Sequence, residues 1–375
     1  MIRLEDLGWG PFFQQQLNTT ETDTLPARVV EEMKGAYRVY CEDGLLTATV
    51  SGRLRHEALT RDALPATGDW VLVSAVAGEA NAIVHRVLGR RTKLSRKVAG
   101  ERTEEQVLAA NVDAVFVVAA LNRDLNPRRI ERYLTVAWES GARPVVVLNK
   151  ADLRHDVPDV VGETESLAPG LPVLPTSTLT GQGVDELRTQ LIPGETGVFV
   201  GSSGVGKSSL LNCLLGNSTQ VVRDIRTDGK GRHTTTSRQL FVIPGGGVVI
   251  DTPGLRELTI WDAEAGLDRA FADVDAFAKE CAFRDCRHSG EPGCAVREAI
   301  EGGDLPEERF ASYRKLEREI DFMARRQDRA LELADRKRWK QIQKQNRERM
   351  RLRGGDVRFA RREPGGRAPP ERCVP

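Results

Sequence analysis

Apolar residues recur along this chain in three rhythms, and their mixture changes from one stretch to the next. From about residue 35 to 97 they alternate with polar residues in short runs: Tyr37 to Tyr40, Leu45 to Val50, Asp69 to Val73 and Ala82 to Val87. A period of two with closely spaced glycine-bearing turns predicts short strands, and a small barrel of the OB-fold kind removes their edges. Residues 1–30 lack this rhythm and read as a lead segment, with Trp9, Phe12 and Phe13 as packing anchors. From about 98 to 257 the apolar residues gather into runs with few polar interruptions, at 111–119, 144–148, 173–174, 198–200 and 248–250. Such runs predict strands buried on both faces, the mark of an α/β sheet. Helical spacing appears over Pro127–Glu139, opened by Asn126-Pro127, and again over Gly183–Leu191 and Ser208–Leu215. After 258 the strand signals stop. Ala295–Ile300 and Pro306 to roughly Arg353 read as helices, and Gly354–Pro375 as a disordered basic tail. The expectation is a multi-domain α/β plus β protein: lead and barrel at 1–97, an α/β domain at 98–257, a mostly helical domain at 258–353, and a tail at 354–375.

Composition changes this picture little. Lys and Arg number 55 against 54 Asp and Glu, so a formal charge of +1 identifies no partner. No run of 18 apolar residues exists, and Met1-Ile-Arg-Leu-Glu-Asp6 is no signal peptide. A cytoplasmic monomer without membrane contact is expected. Charge becomes informative only locally. Between Asp321 and Arg362 there are 15 Lys/Arg against 6 Asp/Glu, with Trp339 among them. A solvated helix face would explain a charge run, but so large an imbalance in a neutral chain favours contact with an RNA backbone. Basic residues also interleave the barrel strands, among them Arg38, Arg53, Arg55, Arg61, Arg86, Arg90, Arg91, Lys93, Arg96 and Lys97. Nucleic-acid binding and an ordinary charged face explain that pattern equally well.

The chemistry lies at the ends of the apolar runs. Gly201-Ser202-Ser203-Gly204-Val205-Gly206-Lys207-Ser208 fits the G-x-x-x-x-G-K-[ST] phosphate loop, with a strand before it and the helical run Ser208–Leu215 after it, and Ser209 counts with the loop residues that hold the nucleotide. Glycines let successive N–H groups face phosphate oxygens, and the helix N-terminus adds partial positive charge. Lys207 would reach the β- and γ-phosphates, and Ser208 would bind Mg²⁺. Asn149-Lys150-Ala151-Asp152 follows the run 144–148. A carboxylate there can accept from a guanine's N1–H and exocyclic amine, a donor pair that adenine lacks. Asn149 would help read the base, the Lys150 stem would pack over it, and Ser177 lies in a turn that would offer backbone contacts. Asp251-Thr-Pro-Gly254 follows 248–250; Asp251 would hold Mg²⁺ through water, and Gly254 would donate to the γ-phosphate. Together these residues specify GTP.

The guanine-reading stretch comes first in this chain, ahead of both phosphate stretches, the reverse of the common order. The segment after Gly254, usually a mobile switch, then leads almost directly out of the domain. The polar loop Asp228 to Ser237 contains Thr234 and Thr235, placed to order around Mg²⁺ and γ-phosphate, with Thr235 as a magnesium ligand. Leu255 stands where many GTPases carry a water-orienting glutamine, so intrinsic turnover should be slow and His233 is the nearest polar substitute; a plain loop histidine is the alternative. Six cysteines are present, and three of them, Cys281, Cys286 and Cys294, cluster with His288. Three thiolates and an imidazole make a closed tetrahedral set for structural zinc. Cys213 reads as core, and Cys41 and Cys373 as plain thiols.

This combination, Asn149 to Asp152, then Gly201 to Ser208, then Asp251 to Gly254, with a barrel before and Cys-x4-Cys-x-His-x5-Cys after, resembles the circularly permuted ribosome small subunit-dependent GTPase A family. The resemblance spans about 30 to 350. It implies an OB-fold domain, a permuted GTPase domain and a zinc-binding helical domain. It also implies late maturation of the small ribosomal subunit, rRNA binding, and GTP hydrolysis to GDP stimulated by that subunit. Gly231 to Thr235 looks like the family's switch motif, whose histidine is proposed to assist catalysis in place of glutamine. Ser177-Thr178 departs from the Ser-Ala common in GTPases, and the tail after Gly354 lies outside the resemblance. Two rivals stand beside it: a phosphate-loop kinase with a small acceptor, and an RNA-binding protein with a vestigial nucleotide site.

Overall fold

The computed structural model describes residues 2–17, 23–75, 79–97, 105–122, 125–216, 238–252 and 263–325. Strands β1 (Leu25–Met33), β2 (Ala36–Cys41), β3 (Gly44–Val50), β4 (Trp70–Ala75) and β5 (Asn81–Val87) pair in the cyclic order β1-β2-β3-β5-β4-β1. The circle closes through β1–β4 pairs such as Ala27 with Val71, leaving no free edge. Helix α1 (Pro11–Gln14) precedes the barrel and α2 (Gly52–Glu57) lies in the β3–β4 connection. Val29, Val39, Ala48, Val71, Val73 and Val84 fill the interior. This is the barrel the alternating pattern predicts.

Strand β1 falls mostly in the stretch that sequence reading gives to the lead segment. Its burial runs through five consecutive residues, so no alternation announces it. One of the five is Arg28, wholly buried. Its guanidinium donates to the Gly68 carbonyl at 3.2 Å, to the Leu7 carbonyl, and to Thr196 Oγ1 at 2.9 Å, and lies 5.5 Å from the Trp70 ring centroid. Burial lowers its pKa to about 10, which still leaves it charged at neutral pH. Arg28 thus ties the lead, the barrel and the α/β sheet together. Trp9 and Phe13 pack on Trp70 at centroid distances of 4.8 and 5.8 Å, while Phe12 stays exposed.

After the hairpin β6 (Lys93–Lys97) and β7 (Glu105–Ala110) comes the α/β unit. Its strands are β8 (Ala114–Ala120), β9 (Arg143–Asn149), β10 (Val173–Thr176), β11 (Thr196–Val200), β12 (Gln239–Val242) and β13 (Val248–Asp251). They lie in the order β10-β9-β8-β11-β13-β12; the first five are parallel and β12 runs antiparallel to β13. Helices α3 (Pro127–Glu139), α4 (Val157–Leu167), α5 (Val184–Thr189) and α6 (Lys207–Leu215) flank the sheet. In β8, Val115 and Val117 share a core with Ile130 and Leu134 of α3, whereas Phe116 and Val118 share another with Leu187 and Leu210. Two covered faces explain why the apolar runs are unbroken. Strand β12 also pairs with β1, at Gln239 and Glu31, so barrel and sheet form one 11-stranded structure.

Beyond the sheet lie helices at Glu264–Ala270, Ala272–Lys279, Ala295–Gly302 and 307–325. Gly266 meets α3 so closely that a Cβ there would sit 2.3 Å from the Thr135 carbonyl oxygen. Arg309 is buried against α3: it donates to Glu131 Oε1 at 2.8 Å, to both Asp273 oxygens at 2.6 and 2.8 Å, and to the Ala270 carbonyl at 2.9 Å. The loop 228–237 with His233, Thr234 and Thr235, together with Gly254, Leu255 and the basic stretch from 326 onward, lies outside the described residues.

Candidate nucleotide site and metal centre

Parallel pairing brings the C-terminal ends of β9, β10, β11 and β13 to one edge of the sheet, where α/β folds hold their ligands. The loop after β11 is shaped by its glycines. Gly201 (φ 143°) passes the Val118 carbonyl so closely that a Cβ would lie 2.3 Å from its oxygen. Gly206 (φ 102°) leaves 2.2 Å between a would-be Cβ and Asn149 Nδ2. α6 begins directly after it, with Ser208 and Ser209 exposed in its first turn. The N–H groups of that turn have no intrahelical acceptors and face an anion's position. The Lys207 ammonium donates to the Gly201 and Ser202 carbonyls at 2.7 Å each. Asp251 ends β13 half-buried; burial raises its pKa, opposed by the nearby Lys207 charge. A cation beside it would favour the ionised carboxylate.

The stretch 149–152 is joined to this loop by hydrogen bonds. Asn149 is wholly buried; its Nδ2 donates to the Val205 carbonyl at 2.9 Å, and its Oδ1 accepts from Thr176 Oγ1 at 3.3 Å. Lys150 adopts φ 66°, which turns the chain from β9 into the single 3₁₀ turn Ala151–Leu153. Its ammonium donates to the Gly204 carbonyl at 2.8 Å. Ala151 packs in the core, which turns Asp152 outward. The Ser177 hydroxyl donates to Asp152 Oδ1 at 2.5 Å and accepts the Thr180 N–H at 3.2 Å. One carboxylate oxygen is thereby oriented, and the group can present a fixed pair of acceptors. Sequence reading gives Ser177 a backbone role; its side chain is what meets Asp152. Nothing in a strand-end threonine points to Asn149 from sequence; the parallel pairing of β9 and β10 sets Thr176 opposite it.

Cys281, Cys286, His288 and Cys294 converge, their ligand atoms all within 4.8 Å of one another. The Cys281 and Cys294 sulfurs lie 3.6 and 3.4 Å from His288 Nδ1. Metal–sulfur bonds of about 2.3 Å and metal–nitrogen bonds of about 2.0 Å at a tetrahedral angle require about 3.5 Å between such atoms. The donor set fits a tetrahedral metal ion. Left-handed backbone at His288 (φ 55°) and Gly293 (φ 67°) folds the chain back on itself. Glu291 pins that turn by accepting the N–H groups of Arg287 and Ser289 at 3.1 and 2.7 Å. Hydrogen bonds from its own and Ser289's backbone draw its carboxyl down to about 2.

The barrel's basic residues are largely paired. Arg90 meets Asp69 at 2.7 Å, Arg53 meets Glu57 at 2.8 Å, Lys93 meets Glu105 at 2.8 Å, and Arg91 meets Asp113 at 3.3 Å. Arg61 and Arg38 lie 3.7 and 3.9 Å from Glu32 and Glu31. Much of the positive charge that sequence reading counted is therefore neutralised within the fold.

A sequence profile of the RsgA GTPase family matches residues 87–261. The protein named small ribosomal subunit biogenesis GTPase RsgA from Opitutus terrae is 48% identical over 364 residues, covering 94% of this chain and 99% of that one. The chain belongs to the RsgA GTPase family. Its chemistry is GTP hydrolysis on a P-loop. Among solved structures, YjeQ from Thermotoga maritima is similar with a TM-score of 0.59 and 30% identity, covering 78% of this chain and 97% of that one. YloQ, described as a circularly permuted GTPase, has the same fold at a TM-score of 0.57 and 23% identity, with 84% of this chain and 98% of that one covered. Barrel, permuted α/β sheet and Cys/His-bearing helical region are thus the architecture that the three rhythms of the sequence predict.

Proposed function

We propose that this protein hydrolyses GTP to GDP as a timing switch in the late maturation of the small ribosomal subunit, acting on that subunit through its rRNA. The observation that carries the reading is the fusion of the base and phosphate elements through Asn149 and Lys150, which bond Val205 and Gly204 of the loop. A site whose base end and phosphate end are one hydrogen-bonded unit suits a switch that must sense the whole nucleotide. Asp152, held by Ser177, reads guanine; Ser202, Ser203, Gly204, Val205 and Gly206 supply the phosphate cradle. Lys207 neutralises charge on the β- and γ-phosphates. Ser208, Thr235 and, through water, Asp251 would hold the Mg²⁺ that accompanies GTP, which would supply electrostatic stabilisation of the charge developing on the β- and γ-phosphate oxygens. Gly254 and Thr234 complete the γ-phosphate contacts, and His233 assists attack by water in the place Leu255 cannot fill.

The Cys281, Cys286, His288 and Cys294 set holds zinc as a structural ion. The barrel and the basic stretch from 321 bear on rRNA in the cytoplasm, and the protein acts as a monomer. The test is GTP turnover by the purified protein alone, with small subunits, and with large ones. A rise of tenfold or more with small subunits only is expected, and its loss in His233→Ala would assign the histidine. A rate indifferent to ribosomes would remove the partner and leave the GTPase.

A further inference from the structure

We infer that Arg129 reads the terminal phosphate of the nucleotide and so makes the site discriminate GTP from GDP. The inference rests on the guanine-nucleotide reading above and adds to it a residue that none of the three nucleotide motifs contains. Arg129 stands in the first turn of α3, and its Nη1 donates to Ser202 Oγ of the phosphate loop at 3.1 Å across 73 residues of sequence. The carbonyl of that same Ser202 accepts from the Lys207 ammonium at 2.7 Å. Two cations therefore converge on a single loop residue. An anion seated at that residue would be attracted by both charges, and among the described residues no carboxylate pairs with Arg129. Asp251, whose carboxyl feels the Lys207 charge, ends β13 and is not among the residues lining the space beside Arg129.

The space beside Arg129 has room for such an anion. A cavity of about 160 Å³ opens between α3 and the loop, lined by Asn122, Asn126, Arg129 and Tyr133 on one side and Ser202 to Val205 on the other, over an apolar floor of Val117 to Ala120. It lies away from the base end, which Asp152 and Ser177 mark across β9 and β10. The arginine's mount is fixed. Asn126 caps α3 by accepting the Arg129 N–H at 3.3 Å, with Pro127 opening the first turn. One turn further, Arg309 holds Glu131, and Glu319 holds Arg132. A planar guanidinium on a rigid helix offers a phosphoryl group two parallel donors, a geometry that lysine cannot copy.

The experiment compares equilibrium binding of a fluorescent GDP and of a fluorescent, non-hydrolysable GTP analogue, both with Mg²⁺, to the full chain and to R129A, R129K and R129Q. R129A is expected to bind the GTP analogue at least tenfold more weakly while GDP binding stays within twofold, with R129K intermediate. R129Q keeps a donor for Ser202 but no charge, and must show the same selective loss. Equal weakening of both nucleotides in R129A and R129Q would make Arg129 a brace of the loop and overturn the proposal. So would unchanged binding of both. If the unmodified chain bound neither nucleotide, the reading of the site would fall and the proposal with it.

Discussion

Replacing Asn149 by alanine separates two roles that a base-reading motif can have. In this protein the amide's hydrogen bonds run to the phosphate loop and to Thr176, at 2.9 and 3.3 Å, and the residue is wholly buried. Truncation leaves the Val205 carbonyl and the Thr176 hydroxyl without partners in the interior. Each orphaned group costs about 1–3 kcal/mol. The Thr176 share falls on folding, since β10 is packed in both the empty and the loaded protein. The Val205 share falls on binding, because an unbraced loop is free to relax toward water and must be re-ordered when phosphate arrives. At about 1.4 kcal/mol per factor of ten, that share weakens GDP binding by roughly five- to a hundredfold.

The assay is titration of GDP and of inosine diphosphate, which lacks the exocyclic amine, paired with thermal unfolding without nucleotide. If Asn149 acts as a brace, N149A weakens both diphosphates by the same factor and lowers Tm. Thr176→Val lowers Tm alone. If Asn149 instead reads the base, its loss alters the ratio between the two nucleotides. An affinity for GDP within twofold of the parent, at unchanged Tm, would refute the reasoning outright.

Other expected outcomes follow from the same geometry. Asp152→Asn replaces one acceptor with a donor facing guanine's own donors, so GTP binding should fall by about a hundredfold, at about 1.5–3 kcal/mol per charge-assisted bond; a xanthine nucleotide, which presents a carbonyl at that position, should bind the variant better than GTP in competition titrations. Asp251 has its pKa raised by burial, so its ionised form at neutral pH opposes folding, and this cost disappears as pH falls through the folded pKa. Asp251→Asn should therefore raise the nucleotide-free Tm at pH 7 while abolishing Mg²⁺-dependent turnover, and a lowered Tm would contradict the sign. Arg309→Met strands the buried Glu131 carboxylate and should cost about 3–5 kcal/mol in chemical denaturation. Elemental analysis should find one zinc per chain, and Cys286→Ser should remove it; full zinc occupancy in that variant would exclude the four-ligand site.

How much was legible in the sequence depended on whether the signal was local. The phosphate loop, the 149–152 stretch and Asp251 each follow an unbroken apolar run, and those runs become β11, β9 and β13. Helix α3 spans Pro127–Glu139 as its cap and spacing predict, because Asn126 and Pro127 fix the start without tertiary help. The Cys/His set closes within fourteen residues of sequence, so spacing alone sufficed. Strand β1 was illegible because a buried arginine interrupts its apolar residues, and what makes that arginine tolerable, the Gly68 and Leu7 carbonyls and Thr196, is scattered over the chain. The role of Arg129 was hidden for the same reason: an exposed arginine in the first turn of a helix is unremarkable until the fold brings Ser202 to it. The barrel's arginines could not be weighed from the sequence, since the carboxylate partners of Arg38, Arg61, Arg90 and Arg91 are remote in the chain or brought near only by the fold.

The permuted order gives the nucleotide loop two physical links to the C-terminal helices. One is covalent: β13, with Asp251 at its end, is followed in the chain by the helix Glu264–Ala270. The other runs through α3, which touches the loop at Ser202 by Arg129 and is gripped by Arg309 and Glu319 from the far side. A parallel grip exists at the barrel. Arg238 and Gln239, the first described residues after the stretch 217–237, bond Glu32 and Glu31 of β1 at 2.8 and 2.7 Å. In a GTPase whose phosphate-sensing segment emptied into free solvent, the γ-phosphate could move only that segment. Here the loop is also held through α3, which the C-terminal helices grip in turn. A partner that binds the barrel or the helices more tightly in the presence of GTP than of GDP must raise the affinity for GTP over GDP by the same factor, and equal partner affinities with the two nucleotides would refute such a coupling.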